Sequence, residues 1–252
     1  MTILEKIIQA KERRIGIQKL SNSFTDHYIN NDSNVAGPKF FDSLIKSKNE
    51  YKIIAEMKKA SPSAGLIVED YKPELIAQEY QRKGYTNLSI LTEEDHFHGL
   101  LSHITKVKKI SQLPVLQKDF IVDEWQIYQA KTIGADCILL IAEVLTKEEI
   151  DSFIHTANTL QLDVLLEFHA ETEIPKITDA NLNYIGINNR NLHTLETDVN
   201  HALRIRDKYH KELNNFTIIA ESGFKTKIEL DTYKSNQIDL FLIGESLLKE
   251  KL

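Results

Sequence analysis

One cysteine in 252 residues removes several classes of protein at once. A lone thiol forms no internal disulfide and no cysteine-based metal cluster, and such usage fits a reducing cytoplasm. Cys137 sits inside the run Asp136-Cys137-Ile138-Leu139-Leu140-Ile141, where it reads as a small buried hydrophobe. Long apolar runs are missing too. Nothing approaches the run of about 18 apolar residues that a spanning helix needs, so no membrane is expected. The first residues, Met1-Thr2-Ile3-Leu4-Glu5-Lys6-Ile7-Ile8, interrupt their apolar positions with charge and read as an amphipathic helix, not a signal peptide. Basic excess is lacking: 31 Lys and Arg against 37 Asp and Glu leave a net charge of −6, which argues against nucleic acid as a partner. The Lys-rich piece Lys106-Val107-Lys108-Lys109 reads as a solvated helix face. No His-Glu-x-x-His sequence occurs, and His96, His98 and His169 lack ligand spacing, so no metal is expected.

What the chain does have is alternation. Two helical segments are expected at about 2–19 and 38–47, with Asn30–Gly37 as a loop between them. Short β-branched runs follow at Ile53–Ala55, Asn87–Leu91, Pro114–Gln117, Cys137–Ile141, Asp163–Leu166, Asn183–Ile187, Thr217–Ala220 and Asp239–Ile243. Between them lie helical patterns such as Pro73–Lys83, Glu124–Ile133 and Lys147–Leu160, with Asp123 and Thr146 as caps. Strands alternating with helices make βαβ units, and eight such units in this length predict an α/β fold, a single (β/α)8 TIM barrel. A doubly wound sheet more often shows a glycine-rich first βα turn, whereas here Lys58-Lys59-Ala60-Ser61-Pro62 follows the first strand. The expectation is one domain over 1–252, with an N-terminal helical extension at 1–48 and the barrel at 49–252.

Charged residues recur at the carboxyl ends of the strands, where a barrel builds its active site. Glu56 and Lys58 end the first strand, and side chains two apart on a strand share a face, roughly 7 Å apart. Lys118 ends the third strand, Glu167 the fifth, Asn188 and Arg190 the sixth, Glu221 and Ser222 the seventh, and Gly244 with Glu245 the eighth. Two lysines and three glutamates converging on one mouth suit general acid–base work. Gly223 and Gly244 follow the last two strands, where barrels frequently hold a phosphate on backbone amides, so a phosphorylated small molecule is the expected partner. Residues alone leave open an isomerase, a class I aldolase using Lys118 as a Schiff base, or a barrel that only binds.

The stretch Ile53-Ile54-Ala55-Glu56-Met57-Lys58-Lys59-Ala60-Ser61-Pro62-Ser63 resembles the first-strand signature of the indole-3-glycerol phosphate synthase family. Further matches run in order: Leu91-Thr92-Glu93-Glu94 with Phe97 and Gly99, Lys118-Asp119-Phe120-Ile121, Gly134-Ala135-Asp136, Glu167 with His169, Gly186-Ile187-Asn188-Asn189-Arg190, Ala220-Glu221-Ser222-Gly223 and Leu242-Ile243-Gly244. The resemblance implies ring closure, decarboxylation and dehydration of 1-(2-carboxyphenylamino)-1-deoxyribulose 5-phosphate in tryptophan biosynthesis, with no cofactor; the sequence does not fix the assembly, and a monomer is the working expectation.

It also implies roles. Lys118 would protonate the ketose oxygen, and Glu167 would lie near the anilino nitrogen. Lys58 would hold an anionic group and act with Glu56 in dehydration. Asn188, Arg190, Glu221 and Ser222 would orient the substrate. Ser222, Gly223, Gly244 and the backbone at Glu245 would take the phosphate, with Ser61 near the same mouth, while Phe97, Phe120 and Leu139 would wall the aromatic ring. Glu245 departs from the small residue often found there, and its carboxylate has to turn away from the phosphate or weaken it. Asn191 stands where Asp is common.

Overall fold

Alternating strand and helix patterns close into a (β/α)8 barrel in the computed structural model, which describes residues 1–21, 40–249 and 252. The loop expected at Asn30–Gly37 lies outside the described residues. The eight barrel strands are β1 (Lys52–Met57), β2 (Asn87–Leu91), β3 (Val115–Lys118), β4 (Cys137–Ile141), β5 (Asp163–Phe168), β6 (Tyr184–Asn188), β7 (Thr217–Glu221) and β8 (Leu240–Ile243). All pair in parallel, and β1 pairs with both β2 and β8, which closes the ring. Every expected strand is present. Several run one or two residues further at the carboxyl end, so Glu56, Lys118, Glu167, Asn188 and Glu221 sit on strands, not in loops.

The described helices are α1 (Ile3–Ser21), α2 (Phe40–Lys46), α3 (Pro73–Arg82), α4 (Leu101–Lys108), α5 (Trp125–Ile133), α6 (Lys147–Thr159), α7 (Ile174–Thr178), α8 (His201–Lys208), α9 (Lys227–Ser235) and α10 (Glu245–Leu248). Thr146 caps α6 with a reciprocal Glu149 bond, and Asp123 Oδ1 accepts the Trp125 amide at the start of α5, as their spacing predicts. The lysines of α4 divide: Lys106 and Lys109 face water, but half-buried Lys108 reaches Asp136 at 2.9 Å and so braces α4 against the entry to β4. A short hairpin pairs Ala60–Ser61 with Gly65–Leu66 where the sequence suggests only a turn.

Alternation on each strand sends one set of side chains outward against the helices, among them Met57, Ile90, Leu140, Leu166 and Ile187. The inward set stacks in layers drawn from alternate strands. Ile54, Leu116, Leu165 and Ile219, from β1, β3, β5 and β7, belong to one buried apolar cluster inside the barrel. Two residues further along the same four strands, the next layer is Glu56, Lys118, Glu167 and Glu221. The helical extension reaches both ends of the barrel. Phe41 of α2 stacks on Tyr184 at the start of β6, with ring centroids 3.9 Å apart, while α1 lies over the carboxyl ends.

Candidate active site

The charged layer is nearly dry. Lys118 Nζ lies 2.5 Å from Glu167 Oε2 and 2.6 Å from Glu221 Oε2, and both carboxylates are about 1% exposed. Burial works against the Lys118 ammonium, but Glu167, Glu221 and Glu56 outweigh it and raise its pKa. Two carboxylates facing one ammonium cannot both ionise cheaply. Burial, with Glu167 alongside, drives Glu221 well above the usual carboxyl range. Burial opposes the Glu167 carboxylate as well, but Lys118 and the hydrogen bonds it receives carry it below that range. Asn188 Nδ2 donates to Glu167 Oε1 at 2.7 Å, and Asn188 Oδ1 accepts the Arg190 amide at 2.9 Å. Around Lys118 these shifts favour an ammonium, a carboxylate at Glu167 and a carboxylic acid at Glu221.

Glu56 and Lys58 form a second pair, with Lys58 Nζ 2.5 Å from Glu56 Oε1. This pair stands where two compartments meet. One is largely apolar, walled by Leu4, Ile7, Phe97, Phe120, Leu139 and Leu192, and opens onto Lys118, Glu167 and Glu221. Phe97 and Phe120 face each other there at 6.3 Å between centroids. The other is polar, formed by Ser222, Gly223 and Lys225 after β7 and by Gly244, Glu245 and Ser246 after β8. Glu56, Lys58, Ser63, Arg190, Ser222 and Glu245 line both. Ser61 lines only the apolar side, where its hydroxyl accepts the Ala64 amide at 3.1 Å, while Ser63 reaches both.

Backbone geometry shapes the polar side. Ser222 and Gly223 have φ of 67° and 91°, a consecutive left-handed pair that turns the chain sharply out of β7. The Ser246 hydroxyl donates to the Phe224 carbonyl and ties this turn to the one after β8. A Cβ at Gly244 would stand 2.6 Å from Glu56 Oε1 and 3.2 Å from Lys58 Nζ, so glycine there makes room for the charged pair as well as for a ligand.

Three contributors escape sequence reasoning. Lys11 of α1 is 4% exposed, and its Nζ lies 2.8 Å from Asp119 Oδ1 and 3.2 Å from Glu94 Oε2. Arg14 reaches Asp95 at 2.7 Å and Lys19 reaches Asp123 at 2.8 Å, so three cations of one helix grip the loops after β2 and β3. Leu4 and Ile7, on the same helix face as Lys11, complete the apolar wall. The second contributor is Gly186, where a Cβ would strike Glu221 Oε1. The third is Glu93, buried after β2, whose carboxylate accepts the amides of Asp95, His96 and Phe97 and fixes the loop that presents Phe97. Among the described residues no three His, Cys, Asp or Glu side chains are grouped to hold a metal, and no helix is long and apolar enough to cross a membrane.

The family model for indole-3-glycerol phosphate synthase matches residues 4–251. The chain belongs to the indole-3-glycerol phosphate synthase family. The synthase of Endomicrobium trichonymphae is 40% identical over 249 residues, covering 98% of this chain and 95% of that protein. The synthase of Neisseria meningitidis serogroup B is 37% identical over 250 residues, covering 98% and 94%. In fold the chain is also similar to the N-acetylmannosamine-6-phosphate 2-epimerase of Clostridium perfringens, with a TM-score of 0.62 over 86% of this chain and 93% of that one at 9% identity. That likeness concerns the barrel alone. Glu245 pairs with Lys249 at 2.6 Å within the polar compartment, and that bond, with Lys58 and Arg190 nearby, shifts its pKa below the usual carboxyl range.

Proposed function

We propose that the two-compartment mouth closes the indole ring of 1-(2-carboxyphenylamino)-1-deoxyribulose 5-phosphate with Lys118 as general acid. As a member of this family the chain is a carboxy-lyase of tryptophan biosynthesis, acting on a small phosphorylated substrate. The observation that carries the mechanism is the placement of Lys118 between Glu167 and Glu221 at the floor of the apolar compartment. The two carboxylates favour the protonated form of Lys118, which a general acid needs, whereas an imine-forming lysine has to be a free amine, so the aldolase reading loses its support.

The substrate's aromatic ring fits the apolar side and its phosphate the polar side, which lays the reacting carbons across the junction. As the ring carbon bearing the carboxylate attacks the ketose carbonyl, the carbonyl electrons move to oxygen and Lys118 delivers the proton, stabilising charge that exists only in the transition state. Glu167 faces the positive charge developing on the anilino nitrogen. Glu221, held neutral, is the nearest proton source from which Lys118 can be reloaded. The iminium formed by cyclisation accepts the electron pair released with carbon dioxide, so no further electron sink is required. In dehydration Lys58 protonates the departing hydroxyl and Glu56 takes the ring proton, as their contact at the junction allows.

We read the chain as a single barrel domain with an N-terminal helical extension, working as a monomer in the cytoplasm without metal or organic cofactor. The test is indole fluorescence after mixing protein, EDTA and the carboxyphenylamino-deoxyribulose phosphate. Signal should rise, and Lys118→Ala should slow it by about 10²–10⁴-fold, the usual worth of a general acid. Undiminished turnover in the folded variant would remove Lys118 from the chemistry.

A further inference from the structure

His169 touches neither compartment, yet it is fixed on every side. It follows β5 by one residue and stands two residues beyond Glu167. Its backbone amide donates to Glu143 Oε1 at 2.6 Å, and its carbonyl accepts His201 Nε2 at 2.8 Å. Its ring stacks on that of His201, with centroids 4.0 Å apart and planes 17° apart. Its Nδ1 lies 2.8 Å from the carbonyl oxygen of Asn188, the last residue of β6. A carbonyl only accepts, so this nitrogen carries the proton and donates. The same Asn188 donates its side-chain amide to Glu167 Oε1.

We propose that His169 is a positioning residue for the proposed site: its Nδ1–H holds the end of β6 so that the Asn188 amide stays on Glu167. The physical need is clear from the fold. The β5–β6 ladder ends at Phe168 and Ile187, so Asn188 is paired in the sheet with Glu221 of β7 but not with β5. The ring supplies the missing cross-link. His201 and Glu143 hold the linker, and Asn188 passes the restraint to Glu167, which works ionised. Loss of the link leaves Asn188 held from the β7 side alone, and the donor to Glu167, which favours its charged form, is weakened. This inference rests on Glu167 being catalytic.

Three substitutions separate the donor from mere bulk. In His169→Asn, the amide nitrogen takes the place of Nδ1. In His169→Gln it reaches instead toward the position of Nε2, and His169→Leu has no donor. We expect Asn to stay within about threefold of the parent kcat while Gln and Leu fall about tenfold or more, the usual worth of one hydrogen bond to a charged group. KM should change little, because His169 lines neither compartment. The acid limb of the kcat–pH profile should move to higher pH in Gln and Leu only; the charged groups facing Glu167, namely Lys118, Glu221 and Glu143, remain in all three. Equal kcat in Asn and Gln overturns the proposal, and that comparison stands even if Leu fails to fold. Glu167→Gln in the same assay guards the premise: full turnover there means that the site assignment is wrong, whereas its loss alongside equal Asn and Gln values rejects His169 alone.

Discussion

Gly244 shows how one residue serves two purposes. In the sequence it suggests only close approach of backbone to phosphate, and a substitution there would be expected to act on KM. The space its missing Cβ leaves is occupied by Glu56 Oε1 and Lys58 Nζ. Gly244→Ala should therefore lower kcat about tenfold or more as well as raise KM, since displacing reacting groups by a fraction of an ångström is costly. Steady-state kinetics decide, and a pure KM effect would mean that the pair yields without harm. Glu221 offers a test of a different kind. Its folded pKa lies above its unfolded value, so the native state binds the extra proton, and stability falls as pH rises from about 4.5 through the folded value. Glu167, shifted down, contributes stability above the same unfolded value and loses it only as pH falls through its folded pKa, outside that window. Glu221→Gln should thus gain stability over the parent at pH 8 more than at pH 5, measured by urea midpoints, while turnover drops. An equal difference at both pH values would mean that Glu221 is ionised in the native protein. The charged strand ends were legible because charge closing an apolar strand has no packing reason to be there. Gly186 was not, since a glycine inside a strand carries no sign of the carboxylate that fills its space.

At the scale of elements, the strands and most helices follow from periodicity and caps, but the function of α1 does not. Its basic residues look like any solvated face, because a lysine's spelling is the same whether its ammonium meets water or a buried aspartate. Lys11 meets Asp119, which also accepts the Thr92 hydroxyl at 2.5 Å and the Phe120 amide at 2.7 Å, next to Lys118. Breaking a buried pair from one side costs roughly 3–5 kcal/mol when the remaining charge stays buried. Here the helix can lift and let water reach Asp119, so the cost appears as undocking. Lys11→Met should expose 3–21 to hydrogen exchange and raise KM several-fold, because Leu4 and Ile7 leave the aromatic wall together with it. Unchanged exchange across α1 would show that packing alone keeps the helix in place.

For the molecule as a whole, the decisive feature is the charged layer itself. Lys118 comes from the first four strands, whereas both of its carboxylate partners come from the last four. In this layer the last four strands carry two acids and no base, whereas the first four carry Lys118 together with Glu56. A chain folded only through β4 would leave Lys118 without the two carboxylates that contact it, and the remainder would hold those acids without their ammonium. The two halves are therefore addressed to one another by charge as well as by shape, and turnover becomes a gauge of ring closure. In refolding, recovery of activity should trail the return of helical circular dichroism, and separately expressed halves should be silent alone and active when mixed.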